Sequence, residues 1–194
     1  MHSRLQGTRA HAVRLSASQV CLGQCMIIGV MSDTHGNRRM MHEVADYLKT
    51  RHRAELIIHV GDDYADAAEL AMAGHAVRMV PGLWCPEYGS GRVPKRIVET
   101  LGGITIAAAH AAKDLRAAEL AASIVLTGHT HVATIERIGP SLHVNPGHLK
   151  SKFDRGQRPS YAIIEASDAA VTVSVHELSG DVRHRVTVNR AELA

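Results

Sequence analysis

The sequence predicts an α/β protein: a two-sheet β-sandwich flanked by helices. Three observations carry this reading. The first half alternates short apolar runs with segments of helical period. The second half is rich in strand pairs joined at glycines, which indicates two packed sheets with outer helices. The apolar runs also end repeatedly in Gly, Asp or His, at the carboxyl ends of strands where open α/β sheets place their ligands.

Taken in order, residues 1–25 carry Arg4, Arg9 and Arg14 and no acidic residue. They lack an apolar core of the kind a secretory signal needs and are expected to form a disordered N-terminal extension. Residues 26–194 are expected to form a single domain. Met26–Met31 is an apolar run that reads as a buried strand. Arg38–His52 follows as a helix, with Met41, Val44, Ala45 and Leu48 on one face. Ala54–Val60 is a strand, Asp66–Ala73 a short helix closed by Gly74, and His75–Val80 a strand ending at Pro81-Gly82. Leu83–Pro94 reads as a loop. Arg96–Leu101 and Ile104–Ala109 pair across Gly102-Gly103, Asp114–Ala122 is a helix with Asp114 as its cap, and Ser123–Leu126 is a strand. Val132–Ile138 pairs with Leu142–Val144, Tyr161–Glu165 pairs with Val171–His176, and Val182–Val188 adds an edge strand.

The chain of 194 residues is long enough for one sizeable core. Its formal charge is +3, its aromatic content only 3%, and its arginines are dispersed. Long nucleic acid, which calls for a basic stripe or stacking aromatics, is not the expected partner. A small anionic substrate is compatible. Cys21, Cys25 and Cys85 form no zinc spacing, so a reduced, cytoplasmic protein is the expectation, and no apolar run reaches the length of a membrane span.

The chemistry collects at the strand exits. The first strand delivers Asp33 and His35, and the second delivers Asp62 after Gly61. Ile104–Ala109 delivers His110, Ser123–Leu126 delivers His129 and His131 after Gly128, and Leu142–Val144 delivers Asn145-Pro146-Gly147-His148. A lone Asp-x-His is better explained by a turn and a helix cap. Carboxylates and imidazoles at successive strand ends are better explained together, as ligands for divalent transition metals. Two such ions roughly 3.5–4 Å apart can clamp a phosphoryl group.

The series Asp33-x-His35, Gly61-Asp62, His110, Gly128-His129-Thr130-His131 and Asn145-Pro146-Gly147 resembles the calcineurin-like metallophosphoesterases. The likeness is to their small single-domain bacterial and archaeal phosphodiesterases, from Met26 to about His176. It implies the family's four-layer fold and a metal-dependent phosphoesterase, with Mn, Ni, Fe or Zn as its ions. Asp33, His35 and His131 would hold the first ion, Asp62 would bridge, and His110 and His129 would hold the second. His35 and Asp62 would act in catalysis, with a metal-activated hydroxide attacking phosphorus in line. The implied substrate is a small phosphorylated molecule, with a nucleotide-like form allowed, and a diester more than a monoester. The alternative is a protein-interaction scaffold of the same fold, like a retromer subunit.

One stretch departs from the family pattern. Relatives carry an Asn ligand in Gly-Asn-His-Asp or Gly-Asn-Cys-Asp after the third strand, whereas this chain reads Gly82-Leu83-Trp84-Cys85-Pro86-Glu87. Leu83 has no donor atom, and an indole shuttles no proton at neutral pH. Three outcomes stay open: Glu87 or Asp63 substitutes, a carbonyl or water fills the gap, or the second ion binds weakly. His59, inside a strand, reads as a packed or supporting histidine. His148 reads equally as a phosphate contact or a loop residue, and Arg155 and Arg158 as a solvated loop. Trp84 and Tyr88 read as loop packing, with stacking on a base or aryl group as the alternative.

Overall fold

A computed structural model describes residues 25–193. The extension expected before Met26 lies outside the described residues, Cys25 apart. The chain runs β1 (Met26–Met31), α1 (Arg38–Thr50), β2 (Leu56–His59), α2 (Tyr64–Met72), β3 (Val77–Met79) and α3 (Pro86–Ser90). It continues through β4 (Arg96–Leu101), β5 (Ile104–Ala109), β6 (Ile124–Leu126), β7 (Thr134–Ile138) and β8 (Ser141–Asn145). The last strands are β9 (Ser160–Ala166), β10 (Ala170–Glu177) and β11 (Val182–Asn189).

Two mixed sheets result, as expected. The six-stranded sheet has the order β11-β10-β9-β1-β2-β3, and the five-stranded sheet β4-β5-β6-β8-β7. Within the first, β1, β2 and β3 are parallel; within the second, β5, β6 and β8 are parallel. Parallel strands end on one side of their sheet, so each sheet sends three exits to one edge. No helix among the described residues is long and apolar enough to cross a membrane.

Strand alternation divides the core. Ile28 and Val30 of β1, Leu56 and Ile58 of β2, and Ile164 of β9 face the other sheet's Ile106, Leu126, Leu142 and Val144. Met31, Ile57 and Ile163 point the other way, onto Met41, Val44, Ala45 and Leu48 of α1 and Leu70 of α2. The expected apolar face of α1 is thus fully buried. Asn37 caps this helix by accepting from the Met40 amide, and Arg51 closes it, so it ends before His52.

Three expectations are corrected. Asp114–Ala122 is not an α-helix. Ala112–Asp114 is a single 3-10 turn, and Leu115 is extended behind it (φ −90°, ψ 143°). The Glu119 carboxylate accepts from the Arg116 amide at 2.7 Å, starting a separate run of overlapping turns through Ala122, just before β6. Leu115 and Ala122 bury against Ala107, Ala109 and Val125, so the apolar spacing is satisfied by the turn. Asp114 caps nothing and accepts from the Tyr88 hydroxyl at 2.8 Å. The stretch 83–94 contains α3, begun by Pro86 with its preset φ and ended by Gly91 in the left-handed region (φ 66°). α2 also starts earlier than expected, at Tyr64, which places Asp66 in its first turn.

Gly29 sits in the centre of β1, opposite Ile57 on one side and Ile163 on the other. A Cβ there would overlap the Leu48 side chain, so glycine lets α1 lie against the sheet. Gly29→Val should lower unfolding stability by about 1–3 kcal/mol. Adding Leu48→Ala should cost less than the two changes summed, because the new side chain fills the space vacated. Urea unfolding of the three variants checks both outcomes.

Candidate metal centre

The backbone delivers the site through conformations that most residues avoid. Asp33, His35, His129 and His131 all have φ between 47° and 66°. Non-glycine residues held there cost about 1–3 kcal/mol each, and such strain persists only where the surroundings enforce it. The enforcement is visible. The buried Asp66 carboxylate accepts from Thr34 Oγ1 at 2.8 Å, from the Gly36 amide at 3.1 Å and from Arg38 Nε at 3.2 Å, bracing the turn that carries His35. Asn145 donates to the Gly128 carbonyl at 2.8 Å and to Thr130 Oγ1 at 3.0 Å, bracing the turn that carries His129 and His131. A Cβ at Gly128 would overlap Ser32 and Asp33, so glycine is needed for the two turns to meet.

Asp33 is fully buried between the sheets. Its carboxylate accepts from Ser32 Oγ at 2.6 Å and from the His129 amide at 3.0 and 3.2 Å. Its Oδ1 faces His131 Nε2 at 3.2 Å. His131 Nε2 in turn lies 3.0 Å from His35 Nε2, which lies 2.7 Å from Asp62 Oδ2. The donor atoms of Asp33, His35, Asp62 and His131 all lie within 4.8 Å of one another. Asp62 Oδ1 faces the buried His110 Nε2 at 2.9 Å, and the His110 ring packs edge-on to His129 at 5.2 Å. The structure therefore brings five of the six sequence-derived residues into one chain of donor atoms. His129 joins through its ring contact and its amide.

The fit to a cation rests on which nitrogens are free. His110 Nδ1 donates to the Val60 carbonyl at 2.8 Å, and His131 Nδ1 is bonded to Asp154 Oδ2. In the neutral tautomers the Nε2 atoms then carry lone pairs, and both are aimed at carboxylate oxygens. Among the described residues, His110 Nε2 is buried and finds no hydrogen-bond donor, only the facing Asp62 oxygen. Facing lone pairs repel unless a proton or a metal ion lies between them. The titration trends agree. Burial pulls the His110 pKa down, but Asp62, Asp33 and the Val60 carbonyl outweigh it and raise it. The Asp33 carboxylate, helped by Asp154, raises that of His131. Burial works to raise Asp62, yet His110, His35 and His131 hold it below the usual carboxylate value. A divalent ion replacing these protons suits carboxylate and neutral imidazole donors alike.

Two supports were not singled out in the sequence. Asp154, in the polar stretch 150–159, orients His131, and Lys150 Nζ lies 3.6 Å from its other oxygen. Asp66 braces the Asp33–His35 turn. His59 is completely buried beneath the site. Its Nδ1 accepts from the Gly61 amide at 3.3 Å, and burial pushes its pKa down to about 4, so it is a neutral packed histidine. His148 is fully buried, 5.8 Å from the His131 ring, which removes it as a phosphate contact. Arg158 is largely exposed, with Glu177 at 3.6 Å, as a solvated loop residue would be.

The departing stretch is held tightly to the site. Gly82 N donates to the Asp62 carbonyl at 2.8 Å, and Cys85 Sγ is bonded to the same oxygen. Glu87 does not join the donor cluster found among the described residues, and neither does Asp63. Asp63 does line, with His35, Asp62, Trp84 and Cys85, a depression of about 80 Å³ at the site's mouth. Trp84 is 87% exposed, which overturns the expectation that it packs the loop.

A model of the calcineurin-like phosphoesterase superfamily domain matches residues 26–169. The probable metallophosphoesterase YsnB of Bacillus subtilis is 30% identical over 179 residues, 84% of this chain and all of that protein. A conserved protein of Streptococcus pneumoniae, described as a predicted phosphoesterase, superposes with a TM-score of 0.66 at 24% identity, over 86% of this chain and 99% of that one. Vps29 of Entamoeba histolytica superposes with a TM-score of 0.63 at 21% identity, over 84% and 99% of the two chains. The chain belongs to the calcineurin-like phosphoesterase superfamily.

Asp154→Ala should release His131 and weaken the binding of Mn or Zn about 10–100-fold, while the fold stays intact. Calorimetric metal titration, beside a thermal melt of the metal-free protein, measures both quantities.

Proposed function

We propose that this member of the superfamily is a metal-dependent phosphoesterase, acting on diesters in preference to monoesters, at a centre for two divalent transition-metal ions. The observation that carries the reading is the run of facing donor atoms from Asp33 through His131, His35 and Asp62 to His110. Asp33, His35 and His131 are assigned to the first ion, Asp62 to both, and His110 and His129 to the second. Mn, Ni, Fe and Zn all accept such a mixture of imidazole and carboxylate. Bound there, they would polarise the phosphoryl oxygens and lower the pKa of water.

The protein's own part is positional. Asp62 offers one oxygen to His35 and the other to His110, so it stands between the two halves of the centre. His35 is the donor at the edge of the depression, a third of its side chain exposed, and is placed to meet a phosphoryl oxygen. Ser32, the His129 amide and Asp154 hold Asp33 and His131 in fixed orientations, so little reorganisation is left for the reaction. The second half is the weaker one, because Leu83 supplies no donor, and Asp63, which lines the depression, is the carboxyl assigned to take its place. The substrate is small and phosphorylated, and the protein works in the cytoplasm.

A second reading stands beside this one: a protein-binding scaffold of the same fold with a weakened metal site. The likeness to Vps29 and the missing donor at Leu83 favour it. Metal analysis of the purified chain, with hydrolysis of bis(p-nitrophenyl) phosphate in Mn, separates the two. The enzyme should bind close to two ions, lose activity to a chelator, and lose at least a hundredfold in rate on Asp62→Asn. A chain that binds no metal and hydrolyses nothing is the scaffold.

A further inference from the structure

We infer that Trp84 makes the site select phosphoesters that carry a planar aromatic group beside the phosphate, by offering its indole face to that ring. The inference rests on the phosphoesterase reading of the adjoining centre. Trp84 is the chain's one tryptophan, and it is 87% exposed. It is also a wall of the depression that His35 and Asp62 line. Large exposed apolar side chains such as Met72 and Val98 are not part of that depression.

Its backbone is not a loose tip. The residues two before and one after it, Gly82 and Cys85, both bond the Asp62 carbonyl. Cys85 N closes a turn onto the Gly82 carbonyl at 3.1 Å, the Tyr64 amide donates to Cys85 Sγ at 3.4 Å, and α3 starts at Pro86. The indole is therefore carried on a turn whose backbone is clamped to Asp62, so that the chain beneath it needs no ordering when a ligand arrives. Tyr88, the other aromatic of this stretch, is engaged internally. Its hydroxyl donates to Asp114, and Lys95 lies over its ring at 3.8 Å from the centroid.

Size points the same way. At about 80 Å³ the depression is far smaller than the roughly 300 Å³ at which pockets for whole small molecules begin. It seats the phosphoryl group and little else, so the rest of the substrate lies outside, against its rim. An indole face there rewards a flat ring through stacking, which tolerates many ring types.

One tryptophan makes the test direct. The full chain, with Mn, is titrated with adenosine 5′-phosphate and with ribose 5-phosphate while tryptophan fluorescence is followed. The base-bearing ester should quench at concentrations about tenfold lower than the ribose ester, the order of one stacked base. Phenylphosphonate beside methylphosphonate tells whether a plain aryl ring suffices or a nucleobase is required. Hydrolysis of the methyl diesters of the same two phosphates gives the kinetic arm. Trp84→Ala should raise KM about tenfold for the adenosine ester and leave the ribose ester within twofold, and Trp84→Phe should recover most of the loss. Equal quenching by both phosphates, or equal effects of Trp84→Ala on both diesters, overturns the inference while hydrolysis keeps the enzyme reading. Selective quenching without hydrolysis of any ester supports the aromatic site and removes the enzyme reading.

Discussion

Electron pairs that face one another are the constraint on which this structure depends. His110 and His131 each spend one ring nitrogen on a fixed acceptor, Val60 and Asp154, and aim the other at a carboxylate. Such an arrangement is stable only with positive charge between the partners. Much of the surrounding design prevents it from relaxing. The Asp66 carboxylate, the Asn145 amide and the Ser32 hydroxyl each tie down a turn that carries a donor. Four donor-bearing residues hold left-handed backbone conformations. A chain selected for stability alone would have shed that strain, so its concentration here is an argument for function.

The fold makes the convergence possible at low cost. None of the donors is brought in by a long excursion. Each follows the end of a parallel strand by a few residues, and the two sheets pack with those ends on a shared edge. Asp33 and Asp62 come from one sheet, and His110 and His131 from the other, so the centre straddles the sandwich. The core holding the sheets face to face also sets the spacing of the donors. Gly29 extends the same logic outward, since it sets how closely α1 lies on β1, whose end carries Asp33.

Much of this was legible in the sequence, because strand exits are a local signal. An apolar run followed within a few residues by Asp or His states both where a strand stops and what it presents, and the six donors follow that rule. The supports do not. Asp154 sits in a polar, basic stretch where Arg155 and Arg158 draw the eye, and only the folded chain shows it reaching His131 across 23 positions. Asp66 looked like an ordinary helix residue, and its partners Thr34 and Gly36 are about 30 positions away. The helix expected over 114–122 failed for a related reason. Its apolar spacing is real, but the extended Leu115 and the Glu119 side chain on Arg116 use that spacing in a run of turns before β6 begins. Periodicity reports which residues are buried, and says less about the backbone that buries them.

The stretch after β3 shows how a site can change character without losing its frame. Leu83 removes a donor, yet Gly82 and Cys85 still clamp the turn to the Asp62 carbonyl. Asp62 therefore keeps its place between His35 and His110 whatever the neighbouring side chains do. A loop held by its backbone is free to vary the side chains between its anchor points, and here those are an aliphatic group and an indole. The aliphatic group brings no donor atom to this turn. The indole adds an apolar face at the mouth of a depression otherwise lined by charge and sulfur. The chemistry stays with residues locked between the sheets, and the selection of what reaches them passes to a turn that the lock leaves open to change.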